Sequence, residues 1–299
     1  MLRLPFSRSS RQKAPPDRSL WDRSREEVEE RGARADLAST ICRQRDFDER
    51  YFRDWVRRFA QPLRYHRGLW EWVFVAEMLR RGGALVPGSR GVGFGVGREP
   101  LPAVFASFGC AVVATDLAER EAAEKGWAGG VQYAGRLDLL RNGAICPEDR
   151  FGRLVQFRAV DMKDIPADLA GFDFCWSCCA LEHLGSIEAG LGFIERSLTV
   201  LRPGGIAVHT TEYNVLSDRA TLRKGPTVLF RRRDLASLQD RLAQAGHGPA
   251  PLDLAPGDLV LDNFVDLPPY QPNEPHLLLE FQGYTTTSVG LVVRKSALC

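Results

Sequence analysis

The chain has 299 residues, 44% hydrophobic and 26% charged, with a formal net charge of +2. That length can bury a sizeable core, and so small a charge gives no ground for a polyanion partner. No run of about eighteen apolar residues occurs, so no membrane span is expected. Seven cysteines, odd in number and irregularly spaced, fit a reducing cytoplasm better than a disulfide framework.

Residues 1–45 are rich in Arg, Asp, Glu, Ser and Pro and read as a flexible N-terminal extension, with a charged helix possible over Trp21–Arg31. The opening Met1–Pro16 is basic without an apolar centre, unlike a secretory signal. From Phe47 to Arg81 apolar residues recur at helical spacing: Tyr51, Trp55 and Phe59, then Leu69, Trp72, Val73, Ala76 and Leu79. The pattern predicts two helices split near Pro62, with residues 46–85 forming a helical lid on a domain that runs over 46–299.

Beyond Pro87 and Gly88 short strands alternate with helices. Strands are predicted at 90–94, at 111–115 ending in Asp116, at 154–160 ending in Asp161, at 172–177 and at 206–211, the last entered by the turn Pro203, Gly204, Gly205. Helices are predicted over 101–108 and 186–201, and a hairpin at 276–281 and 288–293 around Gly283 and Tyr284. The alternation points to an α/β fold with a mostly parallel sheet covered on both faces.

Gly91, Gly93, Gly95 and Gly97 alternate where the first of these strands gives way to a helix. Ligands of open α/β sheets bind in the crevice outside the carboxyl ends of the strands, so the cluster sits where a ligand would lie. A dinucleotide fingerprint needs Gly-x-Gly-x-x-Gly, and the sixth positions here are Val96, Arg98 and Pro100. The spacing therefore disfavours an NAD(P)-dependent oxidoreductase, the main alternative. Asp116 ends the next strand about twenty residues on, where a carboxylate can accept both ribose hydroxyls. Asp161 and Met162 follow at the third strand end, suited to an adenine amine and its face.

Together with Phe172–Phe174, Leu181–His183 and Leu201–Gly205, these segments resemble the class I S-adenosylmethionine-dependent methyltransferases, over roughly Leu69 to the C-terminus. The resemblance implies a Rossmann-like, seven-stranded sheet with an antiparallel C-terminal hairpin. It also implies S-adenosylmethionine as cofactor, with Gly93, Phe94, Gly95 and Gly97 at the methionine part, Asp116 at the ribose, Asp161 and Met162 at the adenine, and Ser177 facing the transferred methyl. The acidic residue often found two positions before the first motif glycine is Gly91 here, and Glu99 is the nearest substitute for its contact to the amino group. The segments His66–Glu71, Gly97–Leu101 and His209–Asn214 look like those of a bacterial subgroup resembling proteins encoded beside glycosyltransferases.

The sulfonium carries the reactivity, so the protein must align donor and acceptor and, for an alcohol, take a proton. His183 and Glu212 are the candidate bases, and the expected acceptor is a hydroxyl of a small molecule or glycan. A methyltransferase-like protein that binds without turnover is a further alternative. Strand alternation places His209 and Thr211 on one face, Thr210 and Glu212 on the other. Cys175, Cys178 and Cys179 have no second ligand pair and read as structural, so no metal site is expected. Asp266, Pro268, Pro269 and Tyr270 read as a proline loop near the acceptor cleft, and Arg231–Arg233 as a solvated helix start rather than a nucleic-acid footprint.

Overall fold

A computed structural model describes residues 37–118 and 136–298. The helix expected at 21–31 and most of the expected extension lie outside the described residues. The end of that extension does not: Ser39–Ile41 is a strand (β1) built into the sheet, and Gln44–Asp48 is a short helix (α1). The boundary at residue 45 is therefore corrected, because Ile41, Cys42 and Phe47 are buried.

Helix α2 follows at Arg50–Arg58 and α3 at Arg67–Arg81, with the break around Pro62 as expected. The His66 imidazole starts α3 by accepting the Gly68 N–H at 3.0 Å, satisfying one of the donors a helix start leaves open. The parallel core consists of β2 (Arg90–Phe94), β3 (Ala111–Asp116), β4 (Val155–Ala159), β5 (Phe172–Ser177) and β6 (Leu201–Asn214). Between them lie α4 (Leu101–Ser107), α5 (Glu148–Leu154) and α6 (Ile187–Ser197). Ser186 caps α6 by accepting the Ala189 N–H at 3.0 Å. Strand β6 begins five residues before the expected start at 206, so the Pro203–Gly205 segment lies within the strand rather than ahead of it.

After β6 come α7 (Arg232–Gln244) and four short strands: β7 (Gly248–Pro249), β8 (Leu252–Asp253), β9 (Val265–Asp266) and β10 (Leu278–Phe281). The last strand, β11 (Tyr284–Arg294), runs antiparallel to β6 over nine pairs from Thr286↔Asn214 to Arg294↔Ile206. The hairpin between β10 and β11 turns on Gln282 and Gly283, both with positive φ, as a two-residue turn matched to strand twist requires. Arg231 is buried and holds Asp234 and the Arg219 carbonyl, so it is not solvated as expected.

The sheet order is β4-β3-β2-β5-β6-β11-β1-β8. The far side of β11 is shared by three separate pieces: β7 at Val293 and Arg294, β1 at Val289 and Gly290, and β10 at Tyr284–Thr286. Each face carries its own core. Helices α2, α3 and α4 bury Trp55, Leu79 and Phe105 against Phe174, Trp176 and Val292, while α6 and α7 bury Phe193 and Leu238 against Phe94, Cys175 and Leu291. No helix among the described residues is long and apolar enough to cross a membrane.

Candidate functional site

The carboxyl ends of β2 to β6 open on one edge of the sheet. Gly95 and Gly97 leave β2 with φ of +59° and +50°, a conformation that costs other residues a steric penalty. The loop is stitched to β3: the Val96 N–H donates to the Thr115 carbonyl at 3.1 Å, and the Gly97 N–H to Asp116 Oδ2 at 3.1 Å. The other Asp116 oxygen accepts the Leu117 N–H at 2.8 Å. A Cβ on Gly95 would come within 2.9 Å of the Ala180 Cβ and 3.2 Å of the Met162 Sδ. The turn after β2 is thus narrow at Gly95 and lies beside the Asp116 carboxylate.

Gly91 and Gly93 have a different reason. A Cβ on Gly91 would lie 2.2 Å from the Phe174 ring, and one on Gly93 2.3 Å from Trp176. The bare backbone of β2 is thus filled by aromatic rings from β5, both wedged edge-on against Phe105. An acidic side chain at 91 has no room, which accounts for its replacement by glycine. Phe94 points to the opposite core, against Phe193, so Gly93 and Phe94 have only main-chain atoms to offer a ligand.

Trp176 also sets Glu99. Its indole N–H donates to Glu99 Oε1 at 2.6 Å inside the protein, and burial pushes the Glu99 carboxyl up to about 8. Glu99 is also within electrostatic reach of Asp116 and Glu71. Just beyond β4, Asp161 Oδ1 accepts the Lys163 N–H at 2.8 Å, and the Met162 side chain is buried beside Gly95.

Ser177 is turned away from the crevice, contrary to expectation. Its register on β5 opposes that of Trp176, so the hydroxyl enters the α6 core and meets His209 Nδ1 at 2.9 Å. His209 Nε2 lies 3.0 Å from Ser197 Oγ, which donates its proton to the Ile194 carbonyl at 2.7 Å. Nε2 must therefore donate, Nδ1 accept, and Ser177 donate. Burial lowers the His209 pKa to about 3, so the ring is a neutral strut.

Beyond β5, β6 and β11 lies a buried charged cluster. Thr210 and Glu212 share one face of β6, as alternation predicts, and His209 and Thr211 the other. Glu212 forms an ion pair with Arg67 and accepts the Thr286 hydroxyl at 2.8 Å. Glu71, one turn after Arg67 on α3, accepts Cys179 Sγ at 3.0 Å, Thr210 Oγ1 at 3.2 Å and the Ser288 hydroxyl. Burial lifts its carboxyl to about 6. Glu182 is buried with its carboxyl raised for the same reason, and accepts Thr211 Oγ1 at 3.0 Å.

Cys179, Glu182 and Glu212 offer ligand atoms within 4.8 Å of one another. Arg67, Thr211 and Thr286 already serve those carboxylates, so the group is a hydrogen-bonded cluster rather than a cation cage. Cys175 instead meets the Ser197 carbonyl in the core. His183 stands at the rim, half-buried, with Nδ1 2.8 Å from the Pro226 carbonyl. A carbonyl only accepts, so Nδ1 carries a proton, and Nε2 lies 4.0 Å from Glu182 Oε1.

Sequence reasoning did not assign Arg67, Glu71 or Trp176. The first two lie in the His66–Glu71 segment, where an i, i+4 pair on one helix face was the available signal. Also unassigned was the pair formed by Asp266 and His276, 2.5 Å apart.

Residues 91–209 match the family model described as a methyltransferase domain. No curated protein matches the chain. Among solved structures it is similar to 1,6-didemethyltoxoflavin-N1-methyltransferase of Burkholderia thailandensis, solved with S-adenosylhomocysteine. That likeness has 17% identity and a TM-score of 0.43, covering 96% of this chain and 93% of that one. A putative sarcosine dimethylglycine methyltransferase from Galdieria sulphuraria is similar at 15% identity and a TM-score of 0.42, covering 76% and 84%. Magnesium protoporphyrin IX methyltransferase from Synechocystis PCC 6803 is similar at 14% and 0.42, covering 84% and 98%. The match to a methyltransferase domain thus spans residues 91–209, from β2 into β6.

Proposed function

We propose that this crevice moves a methyl group from S-adenosylmethionine to a hydroxyl oxygen of a small-molecule or glycan acceptor. The observation that carries the donor side is the Asp116 carboxylate tied to the Gly97 N–H beside the Gly95 cradle. In this reading Asp116 holds the ribose, Asp161 and Met162 the adenine, and Gly95 and Gly97, with the main chain of Gly93 and Phe94, the methionine part. Glu99 takes the ammonium group in place of a residue at 91, the incoming cation lowering the carboxyl that burial alone holds near 8, and Ser177 braces the wall from behind through His209.

On the acceptor side Glu212 acts through Arg67, because a carboxylate already ion-paired is a poor base. His183 meets the acceptor at the rim through Nε2. Helices α1 to α3 cover this end, bringing Arg67 and Glu71 to it. When bound, the cofactor supplies an activated methyl on sulfur, and the residues named bind, orient and exclude water.

The test pairs calorimetry with a transfer assay. Asp116→Ala is expected to weaken S-adenosylhomocysteine binding by about 1–3 kcal/mol, the range for a buried polar group left unmet. Labelled methyl is expected to reach a member of a panel of catechols, hydroxy acids, monosaccharides and oligosaccharides. Unchanged affinity in the variant, or tight NAD binding without S-adenosylhomocysteine binding, would overturn the donor assignment.

A further inference from the structure

Asp266 on β9 is buried, and its Oδ2 lies 2.5 Å from His276 Nδ1. An ionised carboxylate only accepts, so Nδ1 carries the hydrogen and Nε2 presents its lone pair. Among the described residues none hydrogen-bonds Nε2. The His276 main chain is pinned on both sides: its N–H donates to the Tyr65 carbonyl at 2.8 Å, and its carbonyl accepts the Arg67 N–H at 2.9 Å. The ring is held as firmly, with His66 stacked on it at 4.8 Å and the edge of Tyr270 at 5.1 Å.

Through Arg67 this pair adjoins the charged cluster that the reading above assigns to the acceptor. Arg67, bonded to its backbone, reaches Glu212 and Ser288, and the Tyr270 phenol is within electrostatic reach of both Arg67 and Glu212. The titratable and charged groups around the His276 ring are Asp266, Tyr270, His66 and Arg67. Burial, and then the neighbouring His276, lower the His66 pKa to about 4, so the His66 ring is neutral at neutral pH. The other acidic and basic groups nearby are already engaged: Glu212 by Arg67, Glu182 by Thr211, and His183 by the Pro226 carbonyl at Nδ1 and the Glu182 carboxylate, 4.0 Å away, at Nε2.

We propose that His276, held by Asp266, is the general base of the acceptor site. The proposal rests on the hydroxyl-acceptor reading above. His276 Nε2 takes the hydroxyl proton as the acceptor oxygen bonds to the methyl carbon and the carbon–sulfur bond breaks, its electron pair remaining on sulfur. The products are a methyl ether and S-adenosylhomocysteine, with the proton on His276 until solvent removes it. Asp266 is the positioning residue: it fixes the tautomer and stabilises the imidazolium.

Nitrogen-15 NMR of the full-length wild-type chain reads the tautomer without any acceptor. The expected result is His276 protonated at Nδ1, changing to a mixture of tautomers in Asp266→Asn. Diethyl pyrocarbonate, with the modified sites mapped by mass spectrometry, is expected to acylate His276 well ahead of the buried His209, and more slowly in Asp266→Asn. On the acceptor panel, His276→Gln is expected to lose about 100-fold or more in turnover, the lower end of general-base contributions, with S-adenosylhomocysteine affinity kept within about twofold. A wild-type His276 protonated at Nε2, or wild-type turnover by His276→Gln, would overturn the proposal. Loss of S-adenosylhomocysteine binding in the wild-type chain would instead defeat the donor reading.

Discussion

Ser197 decides the state of His209. By giving its only proton to the Ile194 carbonyl it obliges the imidazole to donate at Nε2, and the ring must stay neutral to accept at Nδ1. The folded pKa, about 3, lies below the ordinary value of about 6.5. Between those values the unfolded chain binds a proton that the folded chain refuses, so stability falls as pH falls through 6.5 toward 3. The contribution reaches roughly 1.4 kcal/mol per pH unit at its steepest. Urea unfolding of wild type and His209→Gln across that window is expected to show the wild-type advantage shrinking as pH drops. A difference constant with pH would mean that the folded ring accepts the proton. The places of Asp116 at the end of β3 and Gly95 in the turn after β2 were legible in the sequence because spacing and strand ends determine them. Ser177 was misplaced because its facing depends on Phe174 and Trp176 filling the gaps at Gly91 and Gly93, a packing relation between distant segments that no local period records.

At the scale of elements, periodicity revealed what is long and regular: α3, the parallel strands and the hairpin before β11. It did not reveal β1, whose three residues carry too little pattern and whose partners are Gly290 on one side and Leu252 on the other. This strand is nonetheless firmly seated. Ser39 is buried, its Oγ accepts the Val292 N–H at 3.0 Å, and its own N–H donates to the Pro251 carbonyl at 2.9 Å. Ser39→Ala leaves the Val292 amide without its acceptor and is expected to cost about 1–3 kcal/mol in chemical denaturation. Thr40→Ala removes a hydroxyl that, among the described residues, hydrogen-bonds only the adjacent Ile41 carbonyl, and is expected to cost less. Equal effects would show that the serine hydroxyl is not what fastens the strand.

Across the whole molecule, stability should be graded outward from the β6–β11 ladder, which is long, buried and covered on both faces. Native-state hydrogen exchange is expected to find the amides of Ile206–Thr211 and Val289–Val293 opening only with global unfolding, and those of Leu252 and Asp253 at the sheet edge opening first. Uniform protection across the sheet would contradict this gradient. The α/β class was readable because alternation pervades the chain. The composite edge was not, since it is assembled from three segments that touch one strand and share no pattern.

That shared edge bears on how the protein is made. During translation Ser39–Ile41 leaves the ribosome long before its partner strand β11, and waits unpaired while nearly the whole chain is synthesised. Closing so distant a pairing is slow. The nascent chain would carry a waiting strand that an early-acting chaperone could shield until β11 emerges.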